Sequence, residues 1–209
     1  MSASSERVVG IDVGGEKKGY HAVAFSGVTF VAKIACADPK KISRWCVGQE
    51  ARVAAVDAPS CWSRSGSSRL CERKLPEQGI SCFYTPTRTV AKDNPFYRWV
   101  FNGESLYKCL KQEYPLFDGR TPRGPMCVET FPYAVLRAII GNRAPAQPRG
   151  KVRRGCLQKL GYDVSSLPNM DFVDVALCAV AADSFCRNEY HEYGDKAEGF
   201  IIVPKSSLD

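Results

Sequence analysis

Residues 7–19 read RVVGIDVGGEKKG. An apolar run reaches Asp12, and glycines at 10, 14, 15 and 19 punctuate the stretch. The run predicts a buried strand at 7–13, and the glycines a sharp turn after it. A carboxylate at the mouth of such a strand is costly to bury unless it is paired or holds a metal. The same device recurs: VAAVD (53–57) ends at Asp57, and MCVE (126–129) ends at Glu129. DFVDVALCAVAA (171–182) opens on Asp171 and Asp174. Acids at the mouths of successive strands gather at one edge of a sheet, where they repel one another without a cation. An all-oxygen donor set favours Mg²⁺ or Mn²⁺. The expectation is metal-assisted chemistry on phosphates.

Outward from this core, 20–26 and 28–35 predict two strands joined by a tight Ser26-Gly27 turn. Pro39 and KKISRWCVGQEA predict a helix. Residues 53–58 predict a strand halted by Pro59, which cannot extend a ladder. Residues 60–125 are rich in Ser, Arg, Pro and aromatics with weak periodicity, which predicts an insertion with short helices, one near 103–114. A fifth strand is predicted at 126–130, and a helix from Phe131 to Gly141, opened by Pro132. A basic loop, NRAPAQPRGKVRR (142–154), leads into a predicted helix at 152–160. The helix predicted at 171–186 has alanines at 176, 179, 181 and 182 that allow close packing on a sheet. GFIIVP (199–204) predicts a last strand. Helices and strands alternating after a leading hairpin mean a mixed α/β fold. Residues 1–209 read as one domain carrying the 60–125 insertion.

The chain has 209 residues, 44% of them hydrophobic, enough for one buried core and short for two domains. Its net charge of +7 suits polyanionic partners. Ten cysteines contain no CxxC, and the two histidines, His21 and His191, lie near no cysteine cluster. Neither a zinc site nor a disulfide framework is expected. The stretch MSASSERVVG has no apolar signal core, and no apolar run approaches the ~20 residues of a membrane span. A cytoplasmic protein with reduced thiols is expected.

Each acid taken alone has an ordinary explanation. Asp12 and Asp57 suit turns, and Asp171 suits a helix cap after Pro168-Asn169. Asp171 and Asp174, spaced i,i+3, share a helix face near a helix N-terminus, where negative charge is favoured. Asp174 sits within the apolar stretch with no basic residue at helical spacing. Glu129 has no turn to explain it. The four stations together call for a site.

GIDVGGEKKG, VDAPSCW, VETFP and DFVDVALCAVAA, in this order, resemble domain-of-unknown-function family 429. RLCERKL and the closing EGFIIVP extend the resemblance over nearly the whole chain. It implies a predicted nuclease of ribonuclease H-like fold, a mixed sheet flanked by helices. The DxxD of the last helix also resembles Holliday-junction resolvases of that superfamily. Asp12, Asp57 and Asp171/Asp174 match the superfamily pattern of acids on the first strand, the fourth strand and a late helix. Glu129 matches a position of the family alone. The resemblance implies catalytic roles for Asp12, Asp57, Glu129, Asp171 and Asp174, with Asp12, Asp57, Asp171 and Asp174 as metal ligands. The implied reaction is phosphodiester hydrolysis between two divalent ions roughly 4 Å apart.

Two other readings stay open. GIDVGGEKKG is similar to the phosphate-binding turn of sugar kinases in the actin-like ATPase superfamily, although no Gly-rich adenosine loop or GxxxxGK[ST] follows. A nucleic-acid-binding module without catalysis is the other. Expected backbone contacts are Lys18 in the glycine turn, Arg69 and Arg73 in the insertion, and Arg149, Lys151, Arg153 and Arg154, the first part of that segment held extended by Pro148 and Gly150. Trp62, Phe83, Tyr84, Phe96, Tyr97 and Trp99 interleave with the insertion's basic residues, where bases can stack on the rings. The plainer alternative is a solvated charged surface over a small aromatic core.

Overall fold

Alternate residues of the central strands bury into two separate cores, so both faces of the sheet are covered. The structure, a computed structural model, describes residues 6–15, 17–121, 124–141 and 149–205. Among these, seven strands form one sheet: β1 Arg7–Val13, β2 Tyr20–Ser26, β3 Thr29–Cys36, β4 Val53–Asp57, β5 Met126–Thr130, β6 Tyr190–Asp195 and β7 Gly199–Pro204. Their order is β3-β2-β1-β4-β5-β7-β6. The first three strands form an antiparallel meander; β1, β4, β5 and β7 run parallel, and β6 returns antiparallel to β7. The helices are α1 Pro39–Gly48, α2 Leu70–Lys74, α3 Arg88–Ala91, α4 Arg98–Leu110, α5 Pro132–Ile140, α6 Arg149–Lys159 and α7 Met170–Cys186. The fold is α/β, a seven-stranded mixed sheet flanked by helices.

On one face, Val9, Ile11 and Val13 of β1 pack with Ile42 and Cys46 of α1 and Leu106 and Leu110 of α4. On the other, Val8, Val53 and Val128 pack with α7, Val135 of α5 and Leu157 of α6. Helix α7 is apolar all round because it lies between the sheet and α5 and α6; only such burial suits that pattern. Its cap is Asn169, whose Oδ1 accepts the Phe172 N–H at 3.2 Å. Asp171 is therefore free of the capping role the sequence allowed it. A Cβ on Gly10 of β1 would lie 2.0 Å from the Val175 carbonyl oxygen and 2.6 Å from the Ala179 nitrogen. Glycine at 10 lets the α7 backbone rest directly on β1.

Most predicted elements form, with instructive differences. The insertion lies between β4 and β5, but α4 within it starts at Arg98 and forms part of a core layer. The edge strand β6, YHEYGD, was not predicted. Its polar residues show no clean alternation, and it forms as the ladder partner of β7. The helix predicted at 152–160 starts earlier, at Arg149, so Gly150, expected to hold the first part of the basic segment extended, is instead in the first turn of α6. Residues 142–148 of the predicted basic loop lie outside the described residues.

All ten cysteines are free thiols. Those at 46, 71, 127, 156 and 178 are buried. Burial pushes their pKa values up, Cys46 to about 12. Among the described residues, no helix is long and apolar enough to cross a membrane.

The close approach of α7 makes a direct test. Gly10→Ala is expected to cost about 1–3 kcal/mol through overpacking, read as a lower melting temperature. Gly48→Ala, where a Cβ meets nothing within 4 Å, is expected to stay within about 0.5 kcal/mol of the parent.

Candidate active site at the end of β1 and β4

β1 and β4 are parallel neighbours, and Asp12 pairs in register with Asp57. Partners in adjacent strands project to the same face, and two residues from Asp12 on β1 is Gly10, which faces α7. Both carboxylates therefore rise on the α7 side of the sheet. Val175, whose carbonyl touches the Gly10 position, is preceded by Asp174, so the α7 contact delivers Asp174 beside the strand ends.

Two basic side chains bind this group from within the protein. The Lys18 ammonium lies 2.7 Å from Asp12 Oδ2 and 2.7 Å from Asp171 Oδ1. Gly14 permits this: a Cβ there would fall 2.5 Å from the Lys18 Cβ. Arg153, on α6, donates Nη1 to Asp174 Oδ1. The charge expected to be unpaired on Asp174 is thus met by a partner from a different helix. The Arg153 Nε is buried without a hydrogen-bond partner.

The electrostatics show how tightly these groups are coupled. Burial raises the Asp57 carboxyl well above the usual range, and the charges of Asp12 and Asp174 raise it further; Lys18 and Arg153 relieve only part. Burial likewise raises Asp174, against the pull of Arg153. For Lys18 burial opposes the charge, but hydrogen bonds and Coulomb attraction from Asp12 and Asp171 outweigh it and raise its pKa.

Glu129 does not join the cluster. It pairs in register with Val56, so it points to the opposite face from Asp57. There it is 3% exposed and grips Arg69 through two bonds, Nη2 to Oε1 at 2.5 Å and Nη1 to Oε2 at 2.8 Å. The Ser60 N–H adds a bond to Oε2 at 2.7 Å. Arg69 Nε also reaches Glu72 at 2.9 Å, and Glu72 Oε2 accepts the Arg69 and Thr85 amides. Nearby, Glu198 accepts the Arg64 and Leu70 amides; burial opposes its charge, yet these bonds hold its carboxyl below the usual range. This buried network ties the insertion to β5 and to the turn before β7.

The expected backbone contacts need matching corrections. Arg69, 1% exposed and saturated by Glu129 and Glu72, is closed to an outside phosphate. Arg154 is spent on the carbonyls of Val164 and Leu167, both at 2.8 Å, and fastens α6 to the loop before α7. Arg153 and Lys18 are spent on the acids. Arg73 bonds the Ser68 carbonyl at 2.6 Å but stays exposed, and Lys151 is exposed on α6. The side chain of Arg149 lies outside the described residues. Lys18 and Arg153 as partners of the acids were not anticipated, nor was Asn102 of α4, which donates to the Gly14 carbonyl at 2.9 Å.

Among the described residues, no group of three or more His, Cys, Asp or Glu is close enough to cage a metal ion. The donor chemistry nonetheless suits a hard divalent cation, since Asp12, Asp57, Asp171 and Asp174 offer carboxylate oxygens only. The Lys18 ammonium, 2.7 Å from two of these carboxylates, stands where a cation between them would stand.

A family model described as "Protein of unknown function (DUF429)" matches residues 10–198. The chain belongs to DUF429. The match contains all four acids of the cluster as well as Arg69 and Glu129. No curated protein and no solved structure matches this DUF429 chain.

Two predictions follow from the two charged groups. Breaking the buried network with Arg69→Met strands Glu129 and takes the guanidinium from Glu72, and is expected to cost about 3–5 kcal/mol in chemical denaturation; adding Glu129→Leu should recover only part of the loss, because Glu72 stays buried without its partner. Asp57 behaves oppositely. Its folded pKa is raised, so its contribution is favourable below the unfolded value near ~3.9 and is lost as pH rises toward the folded value. In chelator, Asp57→Asn should raise the melting temperature at pH 7 by about 2 °C or more, and leave it nearly unchanged at pH 4.

Proposed function

We propose that this protein hydrolyses phosphodiester bonds of nucleic acid with the help of Mg²⁺ or Mn²⁺. The observation that carries this reading is the register pairing of Asp12 with Asp57, with Asp174 delivered beside them by α7. Supporting it is the strand order β3-β2-β1-β4-β5 with β2 antiparallel to β1, which suits the ribonuclease H-like arrangement implied by the resemblance. Acids on the first strand, the fourth strand and the last helix suit it too.

Asp12, Asp57 and Asp174 are the residues that would hold the ion, with Asp171 at the rim. A bound ion of this kind lowers the pKa of its water and polarises a phosphoryl oxygen. The chain's own groups do the rest. Asp171 is more exposed than Asp12 and Asp174, which suits it to orient a water or the substrate edge. Lys18 and Arg153 balance the carboxylates in the metal-free protein. With an ion held by those carboxylates, Lys18 and Arg153 would be free to meet phosphate oxygens through charge-assisted hydrogen bonds. Glu129 has a structural part only, through Arg69.

One observation favours a second reading. Lys18 and Arg153 already neutralise much of the acidic charge, which would equally suit a module that binds nucleic acid without cutting it. Cleavage decides between them. Labelled single-stranded and duplex DNA and RNA should be cut in Mn²⁺ or Mg²⁺ and spared in chelator. Asp12→Asn and Asp57→Asn should each lower the rate by about 10²–10⁴-fold, the scale of several kcal/mol of lost metal assistance. No metal-dependent cleavage of any of the four substrates would sink the catalytic reading.

A further inference from the structure

Large apolar rings are seldom left in water together. Among the described residues, three aromatic side chains are exposed: Phe83 at 69%, Tyr84 at 46% and Phe96 at 51%. All three lie between residues 83 and 96 of the insertion, beside Val90, which is 67% exposed. Phe83 meets Phe96 edge to face, with centroids 5.7 Å apart and planes at 63°, and Phe96 meets Tyr97 likewise at 5.1 Å and 87°, so these rings form a stepped ledge.

The ledge is tied into the chain that leaves the end of β4. The segment after Asp57 holds it through Ser63 N–H to Pro86 O at 3.2 Å and Thr87 N–H to Gly66 O at 3.3 Å. Tyr97 leads directly into α4, whose Asn102 bonds the turn carrying Lys18 and whose Gly103 rests on Ala58, next to Asp57. Trp62 and Phe101 pack at 4.6 Å with their planes tilted by 48°, and Arg88 lies over Phe101 at 5.2 Å. Glu104 fixes this junction by accepting from Trp62, Arg88 and Lys108. Arg88 pairs with Glu104 and Lys92 with Asp93, yet the net charge around the rings stays positive: residues 83–108 carry Arg88, Lys92, Arg98 and Lys108 against Asp93 and Glu104.

We propose that this ledge docks single-stranded nucleic acid, stacking unpaired bases on Phe83, Phe96 and Tyr97 while the strand runs on toward Asp12 and Asp57. The proposal rests on the nucleic-acid reading of that site and names its substrate class. Exposed rings in a segment of net positive charge match a chain of bases on a polyanionic backbone. A duplex keeps its base faces within its own stack and offers the ledge only phosphates. Every base has a π-face, so the preference is for strandedness and not for sequence.

Fluorescence anisotropy in chelator tests this without cleavage. The probes are a labelled oligothymidylate, a duplex of the same length and an abasic deoxyribose-phosphate chain of the same length. Wild type should bind the oligothymidylate more tightly than either control. Phe83→Ala and Phe96→Ala should each weaken that binding roughly 5- to 150-fold, the range for one lost stacking contact. Binding of both controls and the melting temperature should stay unchanged, and Phe83→Trp should retain affinity. Equal losses on the abasic chain, or no loss on the oligothymidylate, would overturn the proposal. So would a double variant that dissociates a dimer in sedimentation while binding the oligothymidylate normally, since the ledge would then seat a second copy. Ring-dependent binding by a protein that cuts nothing leaves the ledge standing and removes the catalytic reading. Unchanged single-strand cleavage by the double alanine variant removes the ledge and leaves catalysis.

Discussion

The rest of the site depends on the contact between the backbone of α7 and the backbone of β1. No side chain separates them at Gly10, where a methyl group would reach within 2.0 Å of a carbonyl oxygen. A helix held off by side chains would stand farther from the sheet. Here it sinks closer, and its first turn brings Asp171 and Asp174 to the height of Asp12. The small residues Ala176 and Ala179 suit the same contact. Gly14 does for Lys18 what Gly10 does for α7: it clears the space through which the side chain folds back onto the strand end.

The sheet sorts its acids by pleat. Asp57 ends β4 and Glu129 is the last residue but one of its parallel neighbour β5, and one faces α7 and the other the insertion because the register sets Glu129 against Val56. Each face solves its charge problem differently. The Glu129 side is closed, with a guanidinium satisfied on both edges and almost no solvent. The Asp12 side is partly open and leaves Asp57 and Asp174 with raised pKa values despite two cations. Complete pairing marks a group that holds a fold together. Incomplete pairing marks a group available to something from outside.

Much of this was legible in the residues. Asp12 and Asp57 stood out because a carboxylate closing an apolar run contradicts strand chemistry, and α7 stood out as an apolar segment whose alanines allow close packing on a sheet. The hairpin of β2 and β3 was legible from Ser26-Gly27. Glu129 looked equivalent to Asp57 because all five residues of β5 are buried, so the strand shows no alternation from which a face can be read. The partners were hidden by distance in sequence: Glu129 is 60 residues from Arg69, and Asp174 is 21 from Arg153. A basic cluster in a sequence looks the same whether it faces phosphate or a buried carboxylate. Strand β6 was hidden because an edge strand needs only backbone partners, and its side chains keep a polar character.

The buried thiols give the protein a built-in clock. Cys46 sits in α1, Cys71 in α2, Cys127 in β5, Cys156 in α6 and Cys178 in α7, one in each of five separate elements. Alkylating reagents attack the thiolate, and burial denies these groups both ionisation and access. Each sulfur therefore becomes reactive only while its own element is open. The order in which the five are labelled is a readout of how the layers come apart, with no foreign probe introduced.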